Sequence, residues 1–560
     1  MKLFIFAIGG TGERVLRSLT MLLAAGVKTF NNYDIYPIIV DYDEENGDKI
    51  RTVEVLKNYA LAHDAAYAKH AANNNLQGGQ QTKDSAGAFF AAQLRSLPGL
   101  ENYVFPFKPA TPHEKFKEFI GFDLFAGDLL GTESFLTSLY DKSNRADTEL
   151  NLDMTVGFKG NPNIGSVVFN TIGDTDQFNR FRALYNPKSG DKVVVVGSLF
   201  GGTGASGIPE IVKVINAKCT KPEPKDNTNH IATLQILPYF APIEQAQGAI
   251  KATRFNSKTK AALHYYEDSQ LNALIDCKYF VGDFYPTVLP YCDGGKEQLN
   301  NANLVELIAA MMIEHFVSDR TVKDKVNNSF KFSLNANIVV NKDQKSGDRL
   351  FYQDFDRDSK LNILNSLISL AAGLKYFHDN VWTKEDEKKD YFKLLDLQNA
   401  VDKGKADSLG TQPFSQLCSA LEEFYHKYQC WLKELDFEGK EDVVPANSHR
   451  FALCDMTKSF DGLLVKDVQG AKDDEKSDSS FFSSISSMSN SVMSVINSKS
   501  SFDFEFDTRM NYHLRDNGKD DGHYDTKTNK LRVGHDPEWV FADILHSASV
   551  EACAEIIKNK

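Results

Sequence analysis

Residues Val193–Gly207 read VVVVGSLFGGTGASG. The four valines form a short apolar run, the pattern of a strand buried on both faces. The run breaks into Gly201, Gly202, Thr203, Gly204, Ala205, Ser206 and Gly207, and apolar residues return at helical spacing in IPEIVKVI. Strand, glycine-rich turn and helix in succession predict an α/β fold. Glycines let a backbone bend sharply and approach a ligand, and a helix N-terminus offers unpaired N–H groups to an anion. The reading is a phosphate cradle; the alternative is a tight strand-to-helix turn with no ligand. The lysine-bearing phosphate loop GxxxxGK[ST] fits poorly, because Ile208 stands where its lysine belongs.

The same unit occurs elsewhere. The chain opens KLFIFAIGGTGERVLRSL: a hydrophobic strand, then Gly9, Gly10, Thr11 and Gly12, then an amphipathic helix through Val15, Leu16, Leu19 and Leu22. This resembles a dinucleotide-binding fingerprint, although Val15 occupies the place of the third glycine or alanine. The next strand, IYPIIVDYDEENGD, ends in Asp41 and Asp43. Acids there suit a ribose hydroxyl, a magnesium ion, or simply a solvated turn. Gly157–Gly165 reads GFKGNPNIG, with Gly160 and Asn161 before a proline. IATLQILPYFAPIEQAQGAIKATRF carries Glu244 and Arg254 beyond another apolar run, and QLNNANLVELIAAMMIEHF from Gln298 is a long helix with Asn300 and Asn303 near its start. Glu13 is out of place at a phosphate loop: it either contacts a metal or points away.

Taken in order, these segments resemble the loops of the tubulin and FtsZ superfamily. GGTGASG is similar to that family's GGGTG[ST]G signature, departing at Phe200 and Ala205, and Gly160, Asn161, Pro162 and Gly165 keep its GNPxxG loop. The resemblance covers about residues 1–320. It implies that Gly9–Gly12 and Gly201–Gly207 wrap phosphates, that Asp41 or Asp43 lies near the nucleotide or its Mg²⁺, and that Gly160 and Asn161 face the terminal phosphate. Glu244 would meet the ribose, Arg254 the base more weakly, and Asn303 the guanine edge, with Asn300 second. An amide suits guanine because it both donates and accepts. The implied architecture is a Rossmann-like GTPase domain over 1–300 with an insertion at about 51–150. A central helix at 298–318, a smaller second α/β domain at 319–470 and a helical C-terminal segment at 506–560 would follow. The implied function is GTP/GDP binding with Mg²⁺ and head-to-tail self-assembly. GTP would be hydrolysed between subunits by an acid from Asp324, Asp354 or Asp356. A non-hydrolysing nucleotide-binding scaffold and an NAD-dependent enzyme using Gly10, Gly12 and Asp41 are the rival readings.

Composition narrows the classes. The formal charge of −13 argues against a general nucleic-acid binder. Seven cysteines occur singly without CxxC spacing, as expected in a reducing cytoplasm. The opening strand is too short for a secretory signal, and no apolar run is long enough to span a membrane. His513, His523 and His535 fit no zinc spacing and read as polar surface loops. The serine-rich stretch at 471–505 reads as a linker or a docking segment for a protein partner, and the C-terminal helix offers a second such surface.

Overall fold

The computed structural model describes residues 1–43, 45–76, 88–106, 115–125, 127, 131–140, 149–154, 157–158, 160–219, 230–242, 252–267, 269–283, 286–289, 295–318, 329–331, 349–383, 413–437, 449–466, 501–514, 523–525, 530–532 and 535–558. Its centre is a six-stranded sheet of β1 (Lys2–Ile8), β2 (Asp34–Val40), β3 (Lys192–Ser198), β4 (Ile231–Ile236), β5 (Cys277–Val281) and β6 (Ser329–Lys331). The order is β2-β1-β3-β4-β5-β6, and every pairing is parallel. All seven residues of β3 are buried, as its valine run requires in a sheet covered on both faces. Alternation assigns the faces: Leu3, Ile5, Ala7, Val194 and Val196 enter one apolar cluster, and Phe4, Phe6, Ile8, Val193 and Val195 the other.

On the first face lie α1 (Gly9–Ala24), α2 (Gly47–Leu76) and α6 (Leu304–Val317). On the second lie α3 (Pro162–Phe169) and α4 (Gly202–Lys218). α5 (Ala252–Glu267) connects β4 to β5. Beyond β2, residues 93–105 run alongside it through parallel bridges at Ile35–Leu94 and Ile39–Val104. Part of the stretch expected as an insertion thus continues the sheet. With that outer segment counted, the strand order is that of a doubly wound dinucleotide fold. The order reverses between β1 and β3, where such folds open a crevice.

The central helix begins later than expected, at Leu304, because Asn303 caps it in a reciprocal box with Glu306. Its residues are buried nearly all round. After it, Arg349–Phe351 pairs with Arg450–Ala452 in a two-stranded parallel sheet. Apart from a short antiparallel pair, Tyr524–Asp525 with Lys530–Leu531, the described remainder is mainly helical: α7 (Asn365–Phe377), α8 (Pro413–Leu435), α9 (Ser501–Leu514) and α10 (Pro537–Lys558). These helices share one apolar cluster with α1, α2 and α6. α8 packs along α2, and its Trp431 Nε1 donates to Ser18 Oγ on α1 at 3.3 Å. Glu434 closes this junction by pairing with Arg17 and Arg51 and accepting the Ala302 N–H at 2.8 Å. Among the described residues no helix is long and apolar enough to cross a membrane. Glu244, Asp324 and residues 471–500 of the serine-rich stretch lie outside the described residues.

Candidate functional site

Three glycine turns meet at the crevice between β1 and β3. Gly9, at φ +64, takes the left-handed backbone that lets the chain turn from β1 straight into α1. A Cβ on Gly9 would lie 3.2 Å from Thr203 Cβ, so the first turn touches the turn after β3. A Cβ on Gly202 would lie 3.0 Å from the backbone nitrogens of both Gly160 and Asn161. Gly160, at φ +72, forms the third turn, and Pro162 then opens α3.

The glycines divide by task. A Cβ on Gly12 would meet the Ala7 carbonyl carbon and the Val196 oxygen at 2.8 Å, and one on Gly204 would meet Ser198 O at 2.5 Å and Ser198 N at 2.6 Å. Gly207 faces Ile8 and Phe169 at similarly close range. These glycines seat α1 and α4 on the sheet. Ala205 is buried, and Ser206 turns its hydroxyl back to the Gly202 carbonyl at 2.7 Å. The second half of the predicted cradle therefore serves packing, because α4 begins at Gly202 and carries those residues inward. Gly10, Gly160, Asn161, Gly201 and Thr203 are the half-buried positions that line the crevice. Thr11 is buried, with its hydroxyl 3.5 Å from Arg14 Nη2. Neither α1 nor α4 has a side-chain cap or an acid in its first turn. Their first N–H groups and dipoles point to the crevice, the arrangement that favours an anion.

An acidic floor lies beside the cradle. Asp43 accepts the Gly295 N–H at 2.8 Å and the Glu45 N–H at 3.1 Å, and its carbonyl receives Lys49 Nζ. Asp41 accepts Asn46 Nδ2 at 3.2 Å and the Asp43 N–H at 3.3 Å. Burial pushes the Asp41 carboxyl up to about 6; Lys49 opposes the shift and Asp43 adds to it. Glu13 is fully buried on α1, and neither carboxylate oxygen has a hydrogen-bond partner. Burial first, then the Asp41 charge, holds its carboxyl well above the usual range. Among the described residues no group of three His, Cys, Asp or Glu is placed to hold a metal ion.

Behind the floor runs a buried network that the sequence did not reveal. Arg14 donates to Glu306 Oε1 at 2.6 Å, Asp48 Oδ2 at 2.7 Å and the Tyr239 hydroxyl at 2.5 Å. Tyr239 in turn donates to Glu306 at 2.7 Å. The only sequence signal was an arginine on the apolar side of a glycine-started helix. Asn300 is held on Asp48, through Nδ2 at 2.9 Å and its N–H at 3.0 Å. Asn303 caps α6, its Oδ1 accepting the Val305 N–H at 2.9 Å and its Nδ2 donating to Thr287 Oγ1 at 3.3 Å. Gln298 and Asn46 extend across Gly10, with Gln298 Nε2 3.1 Å from where a Gly10 Cβ would be. No family model, curated protein or solved structure matches the chain.

The remaining candidates sit apart. Asp354 accepts the Phe351 N–H at 2.7 Å, and Asp356 caps its own turn by accepting Ser359 N–H at 2.9 Å and Ser359 Oγ at 2.6 Å. Both thus bond within the turn that precedes α7. Of the three histidines expected on surface loops, His523 is buried: Nε2 lies 2.8 Å from Asp543, Nδ1 lies 3.1 Å from His535, and its ring packs edge-on against Trp539. The apolar face of α10 draws that loop inward.

Proposed function

We propose that the chain binds GTP at the β1/β3 crevice and that nucleotide occupancy governs head-to-tail assembly of its copies. The observation that carries this reading is the meeting of three glycine turns and two uncapped helix N-termini at the reversal point of a parallel sheet. The backbone N–H groups around Gly10–Thr11 and Gly201–Thr203 would hold the phosphates, with Gly160 and Asn161 at the terminal one. The oxygens of Asp41 and Asp43 already accept hydrogen bonds from their own turns and Gly295. Mg²⁺ would therefore be held chiefly by phosphate and water, as that ion prefers. Asn303 is the candidate for the guanine edge.

GTP, when bound, supplies the phosphoanhydride for a hydrolysis served by a neighbouring copy. Asp356 fits that role electrostatically. Burial alone would raise its carboxyl, but hydrogen bonds from Ser359 hold it below the usual range. It is therefore ionised at neutral pH, the state that can orient a water. An open-ended contact would bring this turn of one copy to the crevice of the next. Asp356→Asn should then slow GTP turnover and spare binding.

One observation favours a second reading, an NAD-dependent enzyme: the sheet order is also that of dinucleotide folds. Calorimetric titration with GTP, ATP and NADH, each with Mg²⁺, separates the readings. Selective GTP binding, followed by GTP-dependent sedimentation, supports the proposal. Binding of NADH alone overturns it, and binding of none assigns the glycine turns to packing.

A further inference from the structure

We infer that Gln298 binds phosphate: its carboxamide nitrogen donates to an anionic oxygen of a ligand seated on the first glycine turn, a proposal that rests on the nucleotide reading above. Gln298 lies in the segment that leads into α6, and its Nε2 is 3.1 Å from where a Cβ on Gly10 would be. The amide nitrogen therefore rests against the second residue of α1. Gln298 is half-buried, and among the described residues its Nε2 has no acceptor.

A relay of hydrogen bonds sets which end of that amide faces the turn. Asn46 Oδ1 accepts the Asp48 N–H at 2.9 Å and the Lys49 N–H at 3.4 Å, where α2 begins. Asn46 Nδ2 must then point the other way, to Asp41 Oδ2 at 3.2 Å and Gln298 Oε1 at 3.5 Å. Turning the Gln298 amide over would set its nitrogen against the Asn46 nitrogen, donor against donor. The segment that carries Gln298 is fastened on both sides of it. The Gly295 N–H donates to Asp43 at 2.8 Å, and the Gly295 carbonyl accepts the Gly47 N–H at 3.1 Å. Asn300 donates to Asp48, and its carbonyl accepts Arg51 Nη1 at 3.1 Å.

The result is a set of donors of one polarity at one place. The first N–H groups of α1 have no side-chain cap, and the positive end of its dipole lies there. The Gln298 nitrogen is added to that end, where a donor is electrostatically misplaced unless an acceptor joins it. The acids of the floor do not take it. Asp41 accepts from Asn46, Asp43 from the Gly295 and Glu45 N–H groups, and Asp48 from Arg14 and Asn300. An anionic oxygen at the turn would receive the helix N–H groups and the amide together, each bond strengthened by its charge. A neutral base edge or ribose hydroxyl would leave the helix end uncompensated.

The test is the GTP affinity of wild type, Gln298→Ala, Gln298→Glu and Gln298→Lys by calorimetry with Mg²⁺, with thermal unfolding of each nucleotide-free protein as a check on folding. Gln298→Ala should lose about tenfold, the scale of one hydrogen bond to a charged group. Gln298→Glu keeps an acceptor for Asn46 but turns a carboxylate oxygen to the ligand. It should bind at least about tenfold more weakly than Gln298→Ala, by a gap that narrows as salt is raised. Gln298→Lys returns a donor and should bind more tightly than Gln298→Ala. Equal losses in the three variants, or Gln298→Glu binding as tightly as Gln298→Ala, would show a merely structural role and overturn the inference while leaving the nucleotide reading intact. A wild type that does not bind GTP overturns the reading and the inference together.

Discussion

Two alanine substitutions two residues apart should separate ligand binding from folding. At Gly202 the added Cβ would lie 3.0 Å from two backbone nitrogens of the third glycine turn. That turn must retreat by a few tenths of an ångström, and alanine regains part of the cost through its better helix propensity. Overpacking costs about 1–3 kcal/mol and the propensity gain is about 1 kcal/mol, so the net loss of stability should be roughly 0–2 kcal/mol. At Gly204 the Cβ would lie 2.5 Å and 2.6 Å from backbone atoms of Ser198 at the end of β3. A central strand has no room to retreat, so the cost should be about 3 kcal/mol or more. Urea unfolding followed by circular dichroism measures both changes, and GTP titration measures affinity. Gly202→Ala should fold and bind GTP at least about tenfold more weakly, since the third turn has moved off the α4 N-terminus. Wild-type affinity in Gly202→Ala, or wild-type stability in Gly204→Ala, would refute this division of labour.

Arg14→Met should cost about 3–5 kcal/mol, because Glu306 and Asp48 lose the charge that holds them in the interior; adding Glu306→Gln should return part of that in a double-mutant cycle. Glu13 and Asp41 are both raised by burial, so the unfolded chain releases protons near pH 4 that the folded protein retains. Their effect is a stability that falls as pH rises from about 4 past 6, with Asp41 accounting for about 3 kcal/mol. Glu13→Gln should flatten that fall in urea unfolding between pH 5 and 8; an equally steep profile would show that Glu13 is not the buried acid responsible. Asn303→Asp should keep the α6 cap, and stability within about 0.5 kcal/mol, while lowering the preference for GTP over ATP. An unchanged preference would move base recognition to another residue.

Much of the fold is legible because it is local. The valines of β3 and the apolar run of β1, each broken by glycines and resumed at helical spacing, give strand, turn and helix directly. The cap at Asn303 was legible too, in the box completed by Glu306, although the long apolar pattern draws the helix start back to Gln298. The outer segment at 93–105 was hidden, since Pro98 and Gly99 interrupt it and it pairs with β2 by isolated bridges. Which side each glycine faces is a tertiary fact: Gly202 and Gly204 look alike in GGTGASG, yet one meets a loop and the other a strand. The buried network was unreadable for a related reason. Arg14, Asp48 and Glu306 look like ordinary charges on three helices until the sheet brings those helices together. After the central helix, Ser329–Lys331 extends the main sheet, and the later helices join the apolar cluster on its first face, pairings that no local pattern announces.

Hydrogen–deuterium exchange with and without GTP·Mg²⁺ decides whether this crevice holds a nucleotide. Nucleotide binding there should slow exchange in peptides covering Gly9–Glu13, Gly157–Gly165 and Phe200–Ser206, where the three turns meet. Protection confined to other segments, or none at saturating GTP, would contradict it.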